Sequence, residues 1–271
     1  MEIDQKFLEL KEKGEGAYMP HIYYGDPNEE FSLELVKTLV SNGADLIEFG
    51  IPFSDPIADG TTFIEACERA LKTRMTPIQR IEGVRKLRRI GVEVPIVLTT
   101  YYNIPYTIGL QIFAKQVKEA GVQGLIIPDL PVEEATEFLE ATREFDLKMI
   151  FLVAPTTDDA RLRKIVEIAS GFLYVINVEG VTGTRESVVQ STLDLIKRVR
   201  DCTDLPLMAG FGISRKEHAL AMLSAGVDGI ITGSAITEIY SKNLHSPEMS
   251  LPDIAKFAGE MKQACVEGYN K

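Results

Sequence analysis

The feature that most constrains this chain is a cadence. A stretch with helical spacing ends in a glycine, and a short, almost wholly apolar run follows. The cadence recurs at Asn42-Gly43-Ala44-Asp45, Arg89-Ile90-Gly91-Val92, Ala120-Gly121-Val122-Gln123 and Ala225-Gly226-Val227-Asp228. A glycine there suits the left-handed conformation just past a helix end. The runs that follow, at 46–49, 95–100, 125–127 and 229–232, are apolar in the way of strands buried on both faces. Further strands are expected at 18–24, 149–154, 172–176 and 205–209. Between them, Leu35, Val36, Leu39 and Val40 share a helical face, as do Phe113, Val117 and Ala120. Ser214 with Glu217 reads as a capping box, Ser250 with Asp253 as a similar start signal, and 252–266 as a closing helix. About eight strands alternating with about eight helices give an α/β chain with a parallel sheet. Eight units favour a closed TIM (β/α)8 barrel over a doubly wound open sheet. The acidic, amphipathic start at 1–14 adds an N-terminal helix, and 271 residues suit one barrel domain spanning 1–271.

The net charge of −11 argues against nucleic acid and anionic membranes as partners. It does not forbid an anionic substrate, because a local site can oppose the global sign. No apolar run reaches the roughly 18 residues of a membrane span, and the start has no signal-peptide pattern. Cys67, Cys202 and Cys265 are far apart and form no CxxC, which reads as free thiols in a reducing, cytoplasmic setting.

In such a barrel the chemistry sits at the C-terminal ends of the strands. Glu48 lies inside the apolar run at 46–49, where a charge is costly unless it is paired or functional. The structural alternative is an ion-paired or rim glutamate. The functional one is a general acid/base whose pKa burial has raised. The loop that follows carries Asp55 and Asp59. Spacing alone favours turn and N-cap duty for both, since Asp-Pro and Asp-Gly are turn signals. Asp59 can also fold back toward Glu48, and two carboxylates in unlike surroundings can divide acid and base roles.

Three glycine-rich turns follow the last strands: Gly180-Val181-Thr182-Gly183-Thr184, Gly210-Phe211-Gly212-Ile213-Ser214 and Gly233-Ser234-Ala235-Ile236. Ser234 should begin a short helix whose N-terminus attracts anions. The glycine stretches contain no Lys or Arg, and flanking Arg185 and Arg215 are expected in solvent. A phosphate held mainly by backbone amides is the expectation; the plain alternative is that the glycines only turn the chain. No expected strand ends in a lysine fit for a Schiff base. Of the histidines, His218 and His245 are expected in solvent and His21 packed or hydrogen-bonded in the first strand, so no metal site is expected.

The stretch Glu48-Phe49-Gly50-Ile51-Pro52-Phe53-Ser54-Asp55-Pro56-Ile57-Ala58-Asp59-Gly60 closely resembles the signature of the tryptophan synthase alpha-subunit family. Thr100-Tyr101-Tyr102-Asn103, Pro128-Asp129-Leu130-Pro131, Ala154-Pro155-Thr156-Thr157 and the three glycine turns resemble it too, in the family's order. The resemblance implies a lyase that cleaves indole-3-glycerol phosphate by retro-aldol chemistry to indole and glyceraldehyde 3-phosphate. It assigns Glu48 and Asp59 as catalytic, with Tyr174 and Thr182 in support. It assigns Gly183, Phe211, Gly212, Gly233 and Ser234 to the phosphate, and Tyr101, Ile126 and Leu152 to an indole pocket. It implies an α2β2 complex in which the beta subunit, not this chain, holds pyridoxal phosphate, and the loops around Asp55-Pro56 and Thr182 contact that partner. His21, Tyr23, Thr61, Ile64, Thr99 and Val178 depart from the residue types usual in the family at those places. A freestanding lyase, another phosphate-binding barrel isomerase and a non-catalytic activator of a beta subunit are the alternatives.

Overall fold

Eight parallel strands close on themselves in chain order in the computed structural model, which describes residues 1–176, 185–210 and 212–269. They are β1 (Ala17–Tyr23), β2 (Ile47–Gly50), β3 (Ile96–Thr99), β4 (Gly124–Ile126), β5 (Lys148–Val153), β6 (Leu173–Ile176), β7 (Leu207–Gly210) and β8 (Gly229–Thr232). Pairing of β1 with β8, from Ala17 opposite Gly229 to Pro20 opposite Thr232, closes the ring and excludes the open sheet. The ends of most strands lie one or two residues from the sequence expectation. An apolar run carries no alternation to mark where its ladder begins.

The glycines of the cadence do sit beyond helix ends, with φ from +90° to +103°. Two crossovers hold a pair of helices each, Thr61–Lys72 with Pro77–Arg89 and Asn103–Ile108 with Leu110–Ala120, so the alternation is richer than one helix per strand. Neither expected capping bond forms, although Ser250 does mark the start of a helix. The helix Lys216–Ser224 begins after Arg215, one residue too late for Ser214 to cap it. Ser250 precedes Leu251–Gly268 but is itself helical in backbone, and its hydroxyl accepts a bond from Asn243 Nδ2. Among the described residues no helix is long and apolar enough to cross a membrane.

Alternation along each strand divides the core in two. Ile47, Phe49, Leu98, Leu125, Val153, Leu173, Val175, Leu207 and Ile230 face outward into the layer beneath the helices. Met19, Leu46, Val97, Ile126, Ile150, Met208 and Ile231 point inward. The N-terminal helix Ile3–Lys13 adds Ile3, Phe7 and Leu10 to the inner set. Phe7 packs on Phe172 with ring centroids 5.9 Å apart, and Asp4 pairs with Lys148 at the start of β5. This helix therefore closes the N-terminal end of the barrel, leaving the other end as the mouth.

Candidate active site

Glu48 occupies an inward position on β2, because Ile47 and Phe49 on either side face the helices. It is 2% exposed. Thr99, on the adjoining β3, donates its hydroxyl to Glu48 Oε1 at 2.7 Å. His21, directly opposite on β1, brings Nδ1 to 3.4 Å from the same oxygen. Oε2 is buried with no hydrogen-bond partner among the described residues. Burial pushes the Glu48 pKa up to about 8; the Asp59 charge adds to this, and the Thr99 bond opposes it. At neutral pH this carboxyl is mostly in its acid form with the base form within easy reach, which suits proton transfer in both directions. Burial acts oppositely on His21, holding it neutral down to about pH 3.

Asp59 is not the helix cap that spacing favoured. Gly60 is the N-cap of Thr61–Lys72, with no side-chain capping bond. Two phenols fix the aspartate instead: Tyr23 and Tyr101 both donate to Oδ2, at 2.8 and 3.0 Å. The Tyr101 hydroxyl also accepts from the Ala58 amide at 3.0 Å, and its ring stacks on Phe53. Burial raises the Asp59 pKa and the two phenol bonds pull it back. The following helix is anchored by Arg69, which makes two 2.8 Å bonds to buried Asp26. Tyr240 joins them at 2.6 Å. That clamp sets where the loop carrying Asp59 must return. Asp55 keeps a turn role, taking a bond from Ser54 in solvent.

On the opposite side of the mouth, Gly233 precedes the short helix Ser234–Ser241. Its carbonyl accepts from the amides of Ile236 and Thr237. The leading amides of such a turn have no partner within the helix and point outward as anion donors. Gly212, φ +75°, stands beside it after β7. Arg215 is exposed. His218, expected in solvent, is half-buried, and its Nδ1 lies 3.1 Å from the Gly212 carbonyl in an exposed contact.

These groups share one cavity of about 250 Å³. Glu48, Asp59, Tyr174, Gly212, Gly233, Ser234, Tyr101, Ile126 and Leu152 all line it. No Lys or Arg is found among its described lining residues. Thr182, Gly183 and Phe211 lie outside the described residues, as does Val178.

The tryptophan synthase alpha chain family model matches residues 7–266. The chain belongs to that family. The alpha chain of Methanothermobacter thermautotrophicus is 45% identical over 259 residues, covering 95% of this chain and 96% of that one. A crystal structure of tryptophan synthase subunit alpha from Legionella pneumophila superposes with a TM-score of 0.89 at 32% identity, covering 98% of each chain. A chain of a tryptophan synthase complex from Pyrococcus furiosus matches with a TM-score of 0.81 at 35% identity, covering 90% of this chain and 98% of that one.

The sequence reading has His21 packed or hydrogen-bonded, and names it with Tyr23 and Thr99 only as departures. All three touch a carboxylate of the cavity. Phe63 was missed; its ring fills the space a Cβ on Gly233 would need. Gly210 likewise leaves room for the Tyr174 hydroxyl, and Gly50 for the rings of His21 and Tyr23. Glycines at strand ends were the available signal that large rings crowd this mouth.

Proposed function

We propose that this chain cleaves indole-3-glycerol phosphate to indole and glyceraldehyde 3-phosphate, as a single TIM-barrel domain and the alpha subunit of an α2β2 tryptophan synthase in the cytoplasm. One observation carries the reading. A buried carboxyl with one held oxygen and one oxygen unpartnered among the described residues shares a largely apolar cavity with a second carboxylate and a helix N-terminus. An isomerase would use the anion cradle but has no need of two carboxylates around a pocket for an aromatic ring.

The chemistry follows from the residue types. Protonated Glu48 gives its proton to indole C3, and the ring becomes an electron sink with positive charge at its nitrogen. Asp59, ionised and fixed by Tyr23 and Tyr101, opposes that charge. Glu48, now a carboxylate, takes the proton of the adjoining glycerol hydroxyl. The bond from C3 to the glycerol carbon breaks, its electron pair returns to the ring, and the hydroxyl carbon leaves as the aldehyde. Glu48 ends protonated again, so the cycle is balanced and draws on no cofactor in this chain. Ile126 and Leu152 supply apolar wall for the ring. The amides at Gly212, Gly233 and Ser234 suit the phosphate dianion, a way for an acidic protein to hold an anion with no cationic side chain among the described lining residues. Tyr174, buried and kept neutral by burial and by the Glu48 and Asp59 charges, stands beside the reacting carbon as a hydrogen-bonding phenol. We assign pyridoxal phosphate to the beta partner. Ile57, 79% exposed on the loop leading to Asp59, is an apolar contact for that partner.

The full chain incubated with indole-3-glycerol phosphate, with and without a beta subunit, is expected to release indole. No indole under either condition rejects the lyase.

A further inference from the structure

His21 is a buried ionisable side chain in the cavity wall that the mechanism above does not use. Its ring packs against Phe63 and Tyr23, with centroids 4.7 and 5.0 Å apart. Among the described residues its Nε2 is buried without a hydrogen-bond partner, while Nδ1 faces Glu48 Oε1 at 3.4 Å. A neutral imidazole carries one proton. Buried N–H groups are left unpaired in folded proteins more rarely than acceptor lone pairs are. The proton therefore belongs on Nδ1, where the carboxyl can accept it. Thr99 donates to that same oxygen. Among the described residues Oε1 then faces two donors and Oε2 faces none, so the two oxygens are chemically unlike before substrate arrives.

We propose that His21 is a positioning residue for Glu48: with Thr99 it holds Oε1 as an acceptor, and so makes Oε2 the atom that carries the proton to and from the substrate. The proposal rests on the reading of Glu48 as the acid/base. The 3.4 Å separation is long for a hydrogen bond, as catalytic bonds often are before the substrate-bound state tightens them. The titratable groups around Glu48 are His21 on β1, Asp59 on the loop after β2 and Tyr174 on β6. Those facing His21 are Glu48 and Tyr23. A ring kept at position 21 preserves the packing on Tyr23, which holds Asp59, so a shift in the Glu48 titration in such a variant reports the imidazole.

His21→Phe keeps a ring against Phe63 and Tyr23 and removes the donor. Indole release by the full chain is expected to fall about tenfold or more in kcat, with KM within about twofold. Loss of a donor to the carboxylate raises its pKa, so the alkaline limb of the kcat profile moves up by about half a pH unit or more. His21→Asn, which offers an N–H near the place of Nδ1, is expected to recover most of kcat and return the limb. His21→Phe with unchanged kcat and limb overturns the proposal, as does equal loss in both variants, which marks a ring needed only for packing. Nitrogen NMR of the wild-type imidazole is a second test that no folding defect can spoil. Protonation on Nδ1 is expected; a proton on Nε2 overturns the proposal. If Glu48→Gln keeps normal turnover, the underlying acid/base reading fails instead, whatever His21 variants do.

Discussion

The two ends of the barrel interior are made by the same eight strands and differ in kind. At the N-terminal end, Ile3, Phe7 and Leu10 meet Ala17, Phe172 and their neighbours in an apolar plug. At the mouth, inward positions on β1, β2 and β3 hold His21, Glu48 and Thr99. The difference shows how a barrel carries a costly group. Burial that stabilises the fold at one end gives the other end the low-dielectric surroundings that keep a carboxyl protonated near neutrality. Glu48 should thus be dear in stability and indispensable in rate, and the plug the reverse.

The largest test of that contrast is Glu48→Gln. Cleavage is expected to fall by about 10² to 10⁴-fold, with substrate-analogue binding kept. The folded pKa of Glu48, about 8, stands above the roughly 4.3 of a free glutamate. Between those values the folded chain holds a proton that the unfolded chain has lost, so this group's contribution to stability falls as pH rises through that window. The melting temperature of Glu48→Gln relative to wild type should therefore improve from about pH 5 to about pH 8. A constant difference would mean that Glu48 is not protonated in the fold.

Phe7→Ala sharpens the other side. Removing a large ring from the plug is expected to cost about 3–5 kcal/mol in denaturant unfolding, while kcat per folded molecule stays within about twofold. A change in kcat as deep as that of Glu48→Gln would show that the two ends are not separable. The smallest effect is expected at Gly212, whose φ of +75° favours glycine. Gly212→Ala should raise KM about fivefold through strain in the phosphate turn, with kcat nearly unchanged. A fall confined to kcat would place the turn in the chemical step rather than in binding.

The barrel was legible in the sequence because its signals are local. At four places a glycine beyond a helix is followed by an apolar run, and all four glycines hold the backbone they were expected to hold. Glu48 was legible for a related reason, as a charge inside a buried run. Asp59 was not, from spacing alone, since the phenols that fix it come from Tyr23 and Tyr101, 36 and 42 residues away in the chain. The His21 contact depends on the register that sets His21 opposite Glu48, and apolar strands do not encode register in their own pattern. The capping motif at Ser214 failed because a cap is exact to the residue: the helix begins one position later than the motif requires.

Carbon NMR of the labelled Glu48 carboxyl, followed through pH in the full chain, addresses the acid/base assignment at its root. A midpoint near 8, coinciding with the alkaline limb of indole release, is the expected result. A midpoint near the roughly 4.3 of an exposed glutamate would contradict it.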